Sequence, residues 1–178
     1  MAHYLPMDQL VVTLKNNKPT LTFKGKDYPC AIGRGGIISA DAKKEGDGAT
    51  PAGEFALRRA FWRADRLPKP QTDLPLLAIE KGMGWGDDPK GSKYNKFIES
   101  GYPDDGEECL YRVDEIYDLV VVIGYNDSPA QPGKGSAIFL HVARDDYSPT
   151  AGCVALHKDH LMAILPHLDS ETTILIKP

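Results

Sequence analysis

Two apolar runs constrain this chain most: residues 117–125 (YDLVVVIGY) and 136–142 (SAIFLHV). Their near-continuous apolar content fits strands buried on both faces rather than strands with one wet side. The segment between them, NDSPAQPGKG at 126–135, reads as a turn-rich loop. Such strands need neighbours. Residues 9–14 read as a strand, Asn16-Asn17-Lys18-Pro19 as a turn and 20–23 as the returning arm of a hairpin. Residues 28–32, 54–62, 74–79 and 173–176 are further short strands, and the glycine-rich stretch 33–53 reads as loop. One helix is expected at 158–168, because Leu161, Ile164, Leu165 and Leu168 recur at helical spacing, with Pro166 weakening its end. The expected fold class is mostly β with one or two helices, in a single domain over 1–178.

Composition narrows the function classes. A net charge of −4, with Lys and Arg scattered, excludes the basic footprint of a nucleic-acid binder. No run approaches the length needed to cross a bilayer, and the start, MAHYLPMDQLVV, lacks the pattern of a signal peptide. The cysteines Cys30, Cys109 and Cys153 are too few and too far apart for a disulfide framework. His157 and His160 are spaced as one metal-ligand pair with no second pair to complete a site, so no structural metal is expected.

The chemistry-bearing residues are His141 and Cys153. His141 ends a predicted strand. Cys153 follows twelve residues later in the turn TAGCV, after a polar loop, ARDDYSPT, that lets thiol and imidazole meet. A free thiol is mostly protonated at neutral pH, and a neighbouring imidazole can take its proton. Gly152 permits close backbone approach, and amides near Gly152 and Cys153 are candidates to hold an oxyanion. A lone cysteine beside an apolar strand is also a common packing residue, so the pair alone leaves a structural reading open. Cys30 reads as core, Cys109 as a half-buried loop residue, His157 as a cap or surface group, and His3, His160 and His167 as surface.

Substrate contacts are sought around the pair. Arg144 and Tyr147 lie between His141 and Cys153, and an arginine suits a carboxylate. Tyr125 and Asn126 end the neighbouring strand. The long polar segment 82–108 is of the kind that covers a groove, and within it Trp85, Asp88, Tyr94 and Asn95 are candidate contacts.

The segment IFLHVARDDYSPTAGCVAL resembles the catalytic segment of YkuD-type L,D-transpeptidases, through His141, Thr150, Gly152, Cys153 and Val154. A second element of that family resembles GDGATPAGEF, through Thr50, Pro51, Gly53 and Phe55. The similarity runs from about residue 9 to the end and is nearest a short proteobacterial branch. Departures are Ala151, where many relatives carry His, Ala155, where many carry Arg or Asn, and a shorter gap between His141 and Cys153. The resemblance implies a mixed β-sandwich, Cys153 as nucleophile, His141 as base, Thr150 near the substrate and no cofactor. It implies acyl transfer between peptidoglycan stem peptides, donor and acceptor, giving 3–3 or 1–3 cross-links to diaminopimelate, in the periplasm or envelope. A monomer is expected. A hydrolase on the same scaffold and a non-catalytic cell-wall-binding module remain as alternatives.

Overall fold

The computed structural model describes residues 8–178. Ten strands form one closed mixed sheet. Around the ring run β12 (Thr173–Ile176), β1 (Gln9–Lys15), β2 (Lys18–Phe23), β3 (Lys26–Ala31), β11 (Val154–Leu156), β10 (Phe139–Val142), β9 (Leu119–Ile123) and β5 (Thr50–Trp62). β5 then pairs back onto β12, so the two faces of the expected sandwich are continuous. β4 (Ile37–Ser39) and β6 (Leu76–Ala78) pair in parallel with β5.

Closure depends on β5. Gly53–Ala56 pair with β12, while Leu57 and Ala60–Trp62 pair with β9, with a register shift between Leu57 and Ala60. A bulge of this kind bends a strand and lets it serve both sides of a ring.

The central runs are buried along their whole length. In β9, Leu119, Val121 and Ile123 face the main core with Leu10, Leu21, Leu57 and Leu140. Val120 and Val122 face a second core holding Phe61, Trp85, Leu110, Tyr117, Phe139 and Cys153. This two-sided burial explains why the runs carry no alternation.

Other segments depart from the sequence pattern. The stretch read as loop at 33–53 holds β4, and β5 begins at Thr50 rather than at 54, because pairing to a short parallel neighbour leaves no local signature. β11 has three residues, too few for any period. The strand read at 74–79 contracts to β6. The segment 82–108 contains a two-residue pair, β7 (Gly84–Trp85) with β8 (Phe97–Ile98). The helix α1 spans Lys158–Ile164, and a 3₁₀ turn at Leu165–His167 takes over where Pro166 supplies no N–H. His157 caps α1 by accepting from the Asp159 N–H at 3.2 Å. Cys30 is core. Cys109, expected half-buried, is 1% exposed because it sits in the tight bridge to Gly84. His160 is half-buried against Tyr28, His167 is exposed, and His3 lies outside the described residues. Among the described residues no helix is long and apolar enough to cross a membrane.

Candidate active site

Backbone pairing brings the two chemistry-bearing residues together. β10 and β11 are parallel neighbours, with Leu140 opposite Val154 and His141 opposite Ala155. Cys153 immediately precedes β11, so its thiol and the His141 imidazole open onto one cavity of about 500 Å³. The Cys153 Sγ–H donates to the Ala137 carbonyl at 3.2 Å, and the sulfur accepts from the Phe139 N–H at 3.4 Å. His141 Nδ1 lies 2.9 Å from the Val142 carbonyl. A carbonyl can only accept, so Nδ1 carries the proton and Nε2 keeps its lone pair. The Tyr117 ring stands edge-on to the imidazole, centroids 5.4 Å apart.

Burial keeps both partners neutral at rest. It pushes the Cys153 thiol up to about 12, and the charge of Glu108 adds to the rise, against the Phe139 N–H and Lys43. It pulls the His141 imidazole down to about 4, with Arg112 and Arg144 acting in the same direction and the Val142 bond opposing. The resting state is therefore thiol and neutral imidazole, not a thiolate–imidazolium pair.

The turn carrying the thiol is clamped by two threonines. Thr150 Oγ1 donates to the Cys153 carbonyl at 2.6 Å and accepts the Gly152 N–H at 3.1 Å. Thr50 Oγ1 donates to the Gly152 carbonyl at 2.8 Å and accepts the Gly33 N–H at 2.8 Å. Thr50 is wholly buried. Gly152 has φ 141°, and a Cβ there would sit 2.9 Å from the Ala49 carbonyl oxygen, which only glycine tolerates. The segments GRGG, GDGATPAG and TAGC thus meet in one knot.

The cavity places charge of both signs around the thiol. Arg34, Arg112 and Arg144 contribute positive groups; Glu45, Asp87, Glu107 and Glu108 contribute acids. Arg144 lines it, 3.7 Å from Asp114. Thr150 also lines it, but its hydroxyl is spent on the turn. The other expected contacts lie elsewhere. Tyr147 does not reach the cavity; its N–H closes a turn onto the Arg144 carbonyl. Trp85 is buried behind the site, edge-on to Phe139, and donates to Asn95 Oδ1 at 2.9 Å. Asn95 also bonds the Ala137 N–H and the carbonyls of Tyr125 and Asn126, so it is a structural hub. Tyr94 donates to Glu45 at 2.6 Å, Tyr125 to the Lys134 carbonyl, and Asn126 to carbonyls of its own loop. Asp88 is exposed and caps a turn through the Lys90 N–H. Most of the residues expected as contacts in the long segment are thus spent on holding it together, while its acids Asp87, Glu107 and Glu108 line the cavity.

A family model, the L,D-transpeptidase catalytic domain YkuD, matches residues 5–176. The chain belongs to this family. An L,D-transpeptidase from Mycobacterium smegmatis is similar at 12% identity and TM-score 0.45, over 97% of this chain and 59% of that one. Bdellovibrio bacteriovorus Bd1075 is similar at 16% identity and TM-score 0.44, over 94% and 46%. Mycobacterium tuberculosis L,D-transpeptidase 1 is similar at 12% identity and TM-score 0.41, over 96% and 58%. The chain therefore spans about half the length of these solved structures. No curated protein matches the sequence.

In this YkuD domain the cavity also takes in residues that no motif marks. Tyr117 and Glu108 line it, joined by a 2.7 Å hydrogen bond from the phenol to the carboxyl. Burial pushes the Glu108 carboxyl up to about 7, with Asp87 and Glu107 adding and the Tyr117 bond and Arg112 opposing. Glu108 sits in GEECLY, a stretch without period or spacing to single it out.

Proposed function

We propose that the chain is a peptidoglycan L,D-transpeptidase that uses Cys153 as nucleophile and His141 as general base. The observation that carries this reading is the neutral pair on one cavity, with the imidazole tautomer fixed by the Val142 carbonyl so that Nε2 is the free base. Family membership supports it.

The thiol proton passes to His141 Nε2 as sulfur attacks the carbonyl of a donor stem peptide. Transfer in step with attack suits a thiol whose resting pKa is high, because no buried thiolate has to persist. The Gly152 N–H is held by Thr150, so the Cys153 N–H is the backbone donor assigned to the oxyanion. His141 then protonates the leaving amine and a thioester remains. An acceptor amine attacks the thioester, and a cross-link to diaminopimelate, 3–3 or 1–3, is released. Diaminopimelate carries both ammonium and carboxylate groups, which a cavity lined by both signs accommodates. Such a substrate puts the working site in the periplasm or cell envelope.

The test is mass spectrometry of muropeptides incubated with wild-type protein or Cys153→Ala. Dimers formed by wild type alone are expected, and fragmentation identifies the joined residues. Shortened monomers without dimers would replace the transpeptidase by a hydrolase. No change with any donor stem would favour a binding module.

A further inference from the structure

Aminolysis of a thioester by a cell-wall amine has a proton problem that the Cys153–His141 pair does not solve. The acceptor arrives at neutral pH as an ammonium ion. As the C–N bond forms and the C–S bond breaks, two protons must leave nitrogen. One returns to the Cys153 sulfur by way of His141. The second has no acceptor in the pair, because the resting state already holds a protonated thiol and a neutral imidazole.

We propose that Glu108 is a further catalytic residue, binding the acceptor ammonium and taking this second proton. The inference rests on the transpeptidase reading above. Glu108 Oε2 is fixed by the Tyr117 hydroxyl at 2.7 Å, and Tyr117 packs on His141. Glu108 Oε1 has no hydrogen-bond partner among the described residues and is not sealed from the cavity. Asp87 is also half-buried at the cavity, but among the described residues no side-chain hydrogen bond fixes its carboxyl as Tyr117 fixes that of Glu108, and the remaining acids are occupied or exposed. Glu45 is occupied by Tyr94 and Ser136, and Asp114 is forked onto Arg112. Glu107 is exposed. The charged and titratable groups around Glu108 are Tyr117, Asp87, Arg112 and Glu107, with Cys153 and Tyr102 also within its field. No cation is within ion-pair distance of its carboxyl among the described residues, so an incoming ammonium finds it unneutralised. Its raised pKa, about 7, suits a group that must both take and give a proton near neutrality.

The proton balance closes over a full turnover. In the acylation half the donor's amine leaves with the proton from Cys153, through His141. Protonated Glu108 then supplies the second proton that makes it an ammonium. In the deacylation half the Glu108 carboxylate takes one proton back from the acceptor.

The experiment forms the thioester with a donor stem and follows its decay by intact mass against two nucleophiles. One is a stem whose diaminopimelate amine is an ammonium. The other is hydroxylamine, which is already uncharged at neutral pH. Glu108→Gln keeps an acceptor for the Tyr117 hydroxyl but cannot take a proton. Decay with the ammonium nucleophile is expected to slow about 100-fold, while decay with hydroxylamine stays within about threefold, and Glu108→Asp recovers part of the loss. Equal rates for the Gln variant and wild type would overturn the proposal, as would equal losses with both nucleophiles, which mark a structural role. Wild type gives an independent check. Its rate with the ammonium nucleophile is expected to level off above about pH 7. A rate that keeps climbing tenfold per pH unit reports bulk deprotonation and sinks the idea. A wild type that forms no thioester on any stem removes the underlying transpeptidase reading instead.

Discussion

The two walls of the cavity are built differently. The Cys153 wall is a strand ladder finished by a clamp: β10 and β11 set the residues side by side, and Thr50 and Thr150 fix the carbonyls of the turn. The Glu108 wall belongs to the chain between β6 and β9, whose regular structure is the two-residue pair β7–β8. Side chains hold that wall, above all Asn95 with four hydrogen bonds to Trp85, Ala137, Tyr125 and Asn126. Attack on a carbonyl slows about 100-fold when a nucleophile is displaced by about 1 Å, which suits the proposed nucleophile, Cys153, to the ladder. The ammonium that Glu108 is proposed to meet sits on a flexible side chain that can settle onto the carboxylate, and one bond from Tyr117 orients that carboxylate, so an irregular wall suffices for it.

The sharpest way to break this contrast is Gly152→Ala. The new Cβ would meet the Ala49 carbonyl oxygen at 2.9 Å and sit at φ 141°. The backbone must move, and the thiol moves with it. A loss of roughly 100-fold in thioester formation is expected, measured by intact mass, on the scale that misplacement by about 1 Å costs. A rate near wild type would mean that the clamp does not set the position of the nucleophile.

The next comparison sets one polar hub against the other. Thr50→Val keeps shape and removes the oxygen that serves the Gly33 N–H and the Gly152 carbonyl. Both groups are then unsatisfied in a buried place, at a cost of roughly 1–3 kcal/mol in urea unfolding. Asn95→Ala removes the hub of the other wall and is expected to destabilise by a similar amount. The two should part in kinetics. Thr50→Val is expected to lower kcat, because the turn loosens, and Asn95→Ala to raise KM, because the charged wall loosens. The same kinetic signature for both would erase the distinction between the walls.

The same division decides what the sequence disclosed. The apolar runs of β9 and β10 were legible because burial on both faces leaves them continuously apolar, and His141, Gly152 and Cys153 because they stand in a short motif. β11 and β4 escaped because three-residue strands are made by their partners. Thr50 stood in a motif, yet its bond to Gly152, across 102 residues of sequence, is a fact of the closed sheet. Trp85, Tyr94, Asn95, Tyr125 and Asn126 were polar or amphipathic residues in the right region, and the fold uses them internally. Only contact can tell a buried hydrogen-bond hub from a substrate contact, and contact is not written in order along the chain.

The smallest effect is also the one that separates the walls by sign. His141 belongs to the ladder, and its folded pKa, about 4, lies below the ordinary 6.5. The unfolded chain binds a proton first as pH falls, so this residue's share of stability is intact above about 6.5 and lost on the way down through 4. Glu108 belongs to the other wall, and its folded pKa, about 7, lies above the ordinary 4.5. Its share is intact below about 4.5 and lost as pH rises through 7. Each is worth at most about 3 kcal/mol by linkage, less for the partly exposed carboxyl, and the two slopes oppose each other between pH 4.5 and 6.5. Wild-type stability should therefore change little across that window. Glu108→Gln removes the falling slope, so its stability relative to wild type should grow as pH rises from 4.5 to 7. His141→Gln removes the other, so its relative stability should grow as pH falls from 6.5 to 4. Urea unfolding of the three proteins across this range measures both. Parallel curves would mean that neither group changes its proton affinity on folding, and that the neutral thiol–imidazole pair with a protonatable carboxyl opposite is not the resting state.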